Sequence, residues 1–158
     1  LAQVLGEASS GRRSASASGA AEAATIFLSG LVENAFSMRA TLSLRPESIC
    51  ELGVFSGPRP EYGYRLAIVS GDRLTLYRYD RDGASSIQSS RRRLSPGDEN
   101  MHEVVWSRDQ AGKMTVRFDG EALLSADDRA FNKAFDGVEH NNRMGECRLR
   151  SISVEEAQ

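Results

Sequence analysis

Two histidines and two cysteines limit the chemistry open to this chain of 158 residues. Nucleophilic catalysis needs a serine or cysteine beside a base that a third group orients. His102 and His140 are the only histidines, and neither a Gly-x-Ser-x-Gly turn nor a papain-like cysteine setting accompanies them. His102 shares the parity of Val104 and Trp106, which makes it a satisfied strand histidine and places Trp106 in the core. Cys50 and Cys147 lack the Cys-x-x-Cys spacing of zinc and redox sites, so sulfur-held metal is not expected. Either they close one long-range bridge or they are buried free thiols. Oxygen ligands for calcium would come from loops. Asp80 and Asp82, in Asp80-Arg81-Asp82-Gly83, and the pair Asp127-Asp128 are the candidates. Asp-x-Asp-Gly is more often simply a hairpin turn, and the other ligands of an EF-hand are missing, so no cofactor is assigned.

Aromatic and arginine side chains offer the better binding surface. In Leu74-Thr75-Leu76-Tyr77-Arg78-Tyr79 the leucines seek the core, so Thr75, Tyr77 and Tyr79 face away from it. By the same parity Arg65, between Tyr64 and Leu66, and Arg117, between Val116 and Phe118, point outward. Stacking rings beside planar guanidinium donors suit a sugar, which presents an apolar face and hydroxyls together. The two tyrosines would serve equally well to cover a sheet face against a neighbouring domain.

The elements that must position these residues read as strands, because the apolar residues recur with period two. In the stretch Phe36 to Leu44, Phe36, Met38, Ala40, Leu42 and Leu44 fall on one face, as Cys50, Leu52 and Val54 do in the next run. The residues 56–60 break that run. Tyr62 to Tyr79 reads as a hairpin turning at Ser70-Gly71-Asp72, and Ser85 to Arg92 as a polar edge strand. His102 to Arg108, Lys113 to Asp119 and Glu121 to Leu124 form a meander. Asp127 to Phe135 is the one candidate helical turn, and Gly137 to His140 and Cys147 to Val154 supply the last strands. Residues 1–24 read as a Ser/Ala/Gly-rich arm or linker, of which 8–24 contribute little to stability, leaving 25–158 as the folded domain.

With 20 Lys plus Arg against 22 Asp plus Glu, the net charge of -2 gives no field that would gather nucleic acid. The run Arg91-Arg92-Arg93 precedes a Pro-Gly turn and reads as a solvated strand end. No apolar run is long enough to span a bilayer, and the amino end carries no intact secretory signal.

Taken in order, the segments resemble the laminin G-like domains of the concanavalin A-like superfamily. The resemblance rests on the strand Phe36 to Leu44, the hairpin Gly63-Tyr64-Arg65-Leu66, the strand from His102-Glu103-Val104 to Arg108-Asp109, Gly112, and Val116-Arg117-Phe118-Asp119-Gly120. Met101 stands where the family often has Trp. The resemblance implies an all-β, two-sheet antiparallel jelly-roll sandwich located outside the cell or at the cell envelope. It also implies a non-catalytic recognition module for a carbohydrate or glycan-bearing protein, for which the outward parity and chemistry of Arg65, Tyr77, Tyr79 and Arg117 make these four the candidate ligand-binding residues. Glycoside hydrolases of this fold carry a Glu-x-Asp-x-x-Glu strand that sets two carboxyls about 5 to 5.5 Å apart. Glu51 has no acidic neighbour at alternate spacing, so an enzyme is not expected. The alternative is a structural sandwich packed against a catalytic domain or partner subunit, with no ligand of its own.

Overall fold

The computed structural model describes residues 2–3, 24–57 and 61–157. Among them are twelve strands and no helix: β1 Ala2–Gln3, β2 Ala24–Val32, β3 Phe36–Leu44, β4 Ile49–Ser56, β5 Tyr62–Val69, β6 Arg73–Asp80, β7 Gly83–Arg93, β8 Met101–Arg108, β9 Lys113–Phe118, β10 Glu121–Asp127, β11 Phe135–Met144 and β12 Cys147–Glu156. Sheet 1 runs β1-β12-β3-β8-β9-β10 and sheet 2 runs β2-β11-β4-β5-β6-β7, every pairing antiparallel. The expected all-β jelly-roll sandwich is the fold that forms.

Alternation explains the core. Phe36, Met38, Ala40 and Leu42 of β3 are fully buried, and so are Tyr64, Leu66 and Ile68 of β5 and Leu74 and Leu76 of β6. Trp106 is buried against Phe36, edge to face at 5.4 Å, which confirms its core assignment. Each large apolar side chain sealed this way contributes about 1.5 to 3 kcal/mol. The polar strand β7 takes the edge of sheet 2, as its lack of apolar residues requires. Cys50 of β4 and Cys147 of β12 are bridged, so one bond ties the two sheets across 97 residues of chain. In chain-entropy terms a loop of that length stabilises the fold by about 4 to 5 kcal/mol. The Ser/Ala/Gly-rich arm lies outside the described residues, apart from Ala2–Gln3, which pairs with β12, and Ala24, which opens β2.

The helical turn expected over Asp127 to Phe135 does not form. Asp127 ends β10, Phe135 begins β11, and the chain between them is irregular. Its carbonyls are committed elsewhere. Arg108, only 2% exposed, donates through Nη2 to the carbonyls of Asp128 at 2.8 Å and Phe131 at 3.2 Å. Through Nη1 it donates to the carbonyl of Asn34 at 3.1 Å and to that residue's Oδ1. A helix would commit the Asp128 and Phe131 carbonyls to its own N–H groups and leave the buried Nη2 of Arg108 without its acceptors.

Replacing Arg108 with Met retains volume but strands those acceptors in the interior. The expected loss in urea unfolding is about 3 kcal/mol or more, and a loss below about 1 kcal/mol would contradict the role assigned to Arg108.

Candidate functional site

On the outer face of sheet 2 the register lines up three rows of side chains. Glu139, Gly53, Arg65 and Tyr77 lie side by side across β11, β4, β5 and β6. One row along are Asn141, Glu51, Ala67 and Thr75; on the other side are Gly137, Phe55, Gly63 and Tyr79. Gly53 decides how the middle row is used. A Cβ there would come within 2.9 Å of the Glu139 side chain and 3.0 Å of the Tyr64 carbonyl, so only glycine lets Arg65 and Glu139 meet across β4. Arg65 Nε and Glu139 Oε1 are 2.6 Å apart, and the Arg65 guanidinium lies over the Tyr79 ring at 4.2 Å. Gly137 makes a similar gap, into which the Phe55 ring settles, edge-on to Phe27 of β2.

Beside the Arg65 pair is a hollow of about 420 Å³ whose walls include Glu51, Ala67, Tyr77, Tyr79, Arg143 and Met144. Glu51, 2% exposed, accepts from Asn141 Nδ2 at 3.1 Å and Arg143 Nη1 at 3.3 Å. Tyr77 and Tyr79 stand next to each other, tilted, with ring centroids 6.3 Å apart. Burial pushes the Glu139 carboxyl above its ordinary range, with Arg65 pulling it back and Glu51 raising it further. Two carboxylates and two guanidiniums thus cancel in charge while leaving a surface of fixed donors, acceptors and rings. Such a surface can hold a neutral, hydroxyl-rich molecule by stacking and hydrogen bonds.

Of the four residues singled out from the sequence, Arg65, Tyr77 and Tyr79 come together here. Arg117 does not: it is on β9 of sheet 1, exposed, with Nη1 donating to the Gly120 carbonyl at 3.1 Å. Two of the four acidic candidates, Asp80 and Asp128, are in use locally. Asp80 pairs with Arg78 at 3.1 Å and accepts from the Asp82 backbone N–H at 2.9 Å, in the hairpin turn that the Asp-x-Asp-Gly run suggested. Asp128 accepts from the Tyr64 hydroxyl at 2.5 Å, from the Ala130 N–H at 3.0 Å and from Arg78. The Arg78 guanidinium therefore sits between the Asp80 and Asp128 carboxylates. Burial, reinforced by Asp128, pushes the Tyr64 hydroxyl up to about 12, so it stays a donor. Asp127 is exposed at the end of β10, opposite Lys113. Glu51, Glu139, Asn141 and Gly53 share this face with the three predicted residues. Their only sequence signal is parity opposite to Cys50, Leu52, Val138 and His140.

A smaller cavity of about 170 Å³ opens at the end of sheet 1, between Arg92, Asp98, His102, Phe118, Asp119 and Glu121. His102 is the satisfied strand histidine expected: it stacks on Phe118, with Nε2 2.8 Å from Asp98 and Nδ1 2.6 Å from Asp119. Arg92 pairs with Glu121 at 2.7 Å. The charges of this cavity are spent on one another.

No protein-family model matches the sequence, and neither does any curated protein. Among solved structures the chain is similar to the carbohydrate-binding module CBM66 from Bacillus subtilis, with a TM-score of 0.70 at 14% identity over 85% of this chain and 82% of that one. It is similar also to a toad ovary galectin in complex with thio-digalactose, with a TM-score of 0.63 at 12% identity over 84% and 98% of the two chains. Congerin II with lactose and MES bound gives 0.64 at 11% identity over 85% and 100%. The likeness is one of fold: a two-sheet antiparallel jelly-roll sandwich.

Burial alone would lower the His102 pKa, but the hydrogen bonds and charges of Asp119 and Asp98 outweigh it and hold the imidazolium above its ordinary value of 6.5. Its bond in turn holds Asp98 below the usual carboxylate range. A raised histidine contributes stability that is fully present below the unfolded value and is lost as pH climbs through the folded one. The melting temperature should therefore decline as pH rises above about 6.5, and His102→Gln should flatten that decline. Equal slopes for both proteins would contradict the linkage.

Proposed function

We propose that this protein is a non-catalytic carbohydrate-recognition module whose site is the outer face of sheet 2, and that its ligand is a neutral saccharide. The observation that carries the reading is the Arg65–Glu139 pair, its guanidinium over the Tyr79 ring, beside the hollow walled by Tyr77, Glu51 and Arg143. It gives hydroxyls fixed donors and acceptors and gives a sugar's apolar face a ring, with no net charge to favour an acidic ligand. Structural neighbours that are a carbohydrate-binding module and galectins support the class. The laminin G-like pattern of the sequence is the subtype we assign within this fold. The disulfide supports an extracellular or cell-envelope location, where such bonds persist. The second reading, a structural module docked on a partner, has the exposed Leu31 and Met144 in its favour.

A glycan array on the chain, with and without calcium, separates the two. Binding to neutral glycans is expected, independent of calcium. Tyr79→Ala or Tyr77→Ala should weaken it by about 1 to 3 kcal/mol with the fold intact, the scale for a packed interface anchor. Arg117→Ala, on the opposite sheet, should leave it unchanged. An array without signal, or variants of both tyrosines that bind normally, would overturn the assignment.

A further inference from the structure

We propose that Cys50, Cys147 and His140, packed between the two sheets, form a zinc site once the disulfide is opened. Among the described residues this is the one group of three metal-ligating side chains whose ligand atoms all lie within 4.8 Å of one another, and all three are buried. The sequence hides it. Cys147 is seven residues from His140 but 97 from Cys50, and neither interval is a zinc-motif spacing.

The imidazole is what points to a ligand. His140 of β11 is 2% exposed, with Nε2 3.5 Å from the Cys50 sulfur and 3.8 Å from the Cys147 sulfur. Its Nδ1 is buried with no hydrogen-bond partner among the described residues. A disulfide is a poor partner for the ring nitrogen Nε2, whereas two thiolates around a metal ion would use that same nitrogen as a ligand. Around zinc, with Zn–S about 2.3 Å and Zn–N about 2.0 to 2.1 Å, tetrahedral angles place sulfur and nitrogen about 3.6 Å apart. Both sulfur–nitrogen separations already match. Only the two sulfurs must part, swinging on Cα atoms that are 5.8 Å apart. Charge favours a divalent ion, since two thiolates and Zn²⁺ sum to zero in an interior that tolerates no net charge cheaply.

The steps balance. A phosphine reductant gives two electrons to the sulfur–sulfur bond and takes the oxygen of a water molecule, while the two sulfurs take its protons. Zinc then binds as both thiol protons leave to solvent and two Zn–S bonds and one Zn–N bond form.

The test uses the full chain, oxidised or reduced with a phosphine, titrated with Co²⁺ as the spectroscopic stand-in for zinc. The reduced chain should take one Co²⁺ with thiolate-to-cobalt absorption, and one Zn²⁺ should displace it. The oxidised chain should show no such band. His140→Ala should bind at least about a hundredfold more weakly, since even residues behind the ligands are worth 10 to 100-fold. Should the reduced chain lose its strand circular dichroism, zinc must restore it and raise its melting temperature. The proposal is overturned if the reduced chain gives no thiolate band, if His140→Ala binds as tightly as the parent, or if zinc fails to refold an unfolded reduced chain.

Discussion

A buried guanidinium fixes the end of this sandwich. Arg108 comes from sheet 1, and a charge 2% exposed survives only where acceptors surround it. The carbonyls of Asn34, Asp128 and Phe131 supply them, drawing the turn between β2 and β3 and the loop between β10 and β11 onto the same group. The Asp128 side chain answers by taking the Tyr64 hydroxyl of β5 and the Arg78 guanidinium of β6. One polar node therefore joins strands of both sheets. The loop it pins delivers the chain into β11, and the register of β11 sets where Glu139 and Asn141 stand.

From that register the outer face of sheet 2 follows. Glu139 arrives opposite Gly53, whose missing side chain is the opening through which Arg65 reaches it. Two nearly buried carboxylates on one sheet face would repel and pay for desolvation if left alone, and each has an arginine: Arg65 for Glu139, Arg143 for Glu51. The pairing holds the site rigid and neutral. The same alternation that turns Val138 and His140 into the core turns Glu139 and Asn141 out, so site and core are two faces of one strand.

The fold was legible because period two is local information. Phe36 to Leu44, Tyr64 to Ile68 and Met114 to Phe118 announce their buried faces residue by residue, and β7 announces its edge by having little to bury. Parity also brought Arg65, Tyr77 and Tyr79 to one surface. It could not say which sheet an outward residue belongs to, and so Arg117 was grouped with residues on the opposite side of the molecule. Nor could it show the Arg65–Glu139 pair, the Cys50–Cys147 bridge or the irregular path of 128–134. Each depends on a partner twenty or more residues away, and in the last case the local preference for a helical turn yields to the needs of Arg108.

The central claim is that the outer face of sheet 2 is the binding surface. The most direct measurement is a two-dimensional ¹H–¹⁵N NMR titration of the chain with the saccharide that binds it best. The account predicts shifts concentrated on Gly53, Arg65, Tyr77, Tyr79 and Glu139, with the His102 cavity and Arg117 silent. Shifts centred on Asp98, His102 or Arg117, or no saccharide-dependent shifts at all, would contradict it.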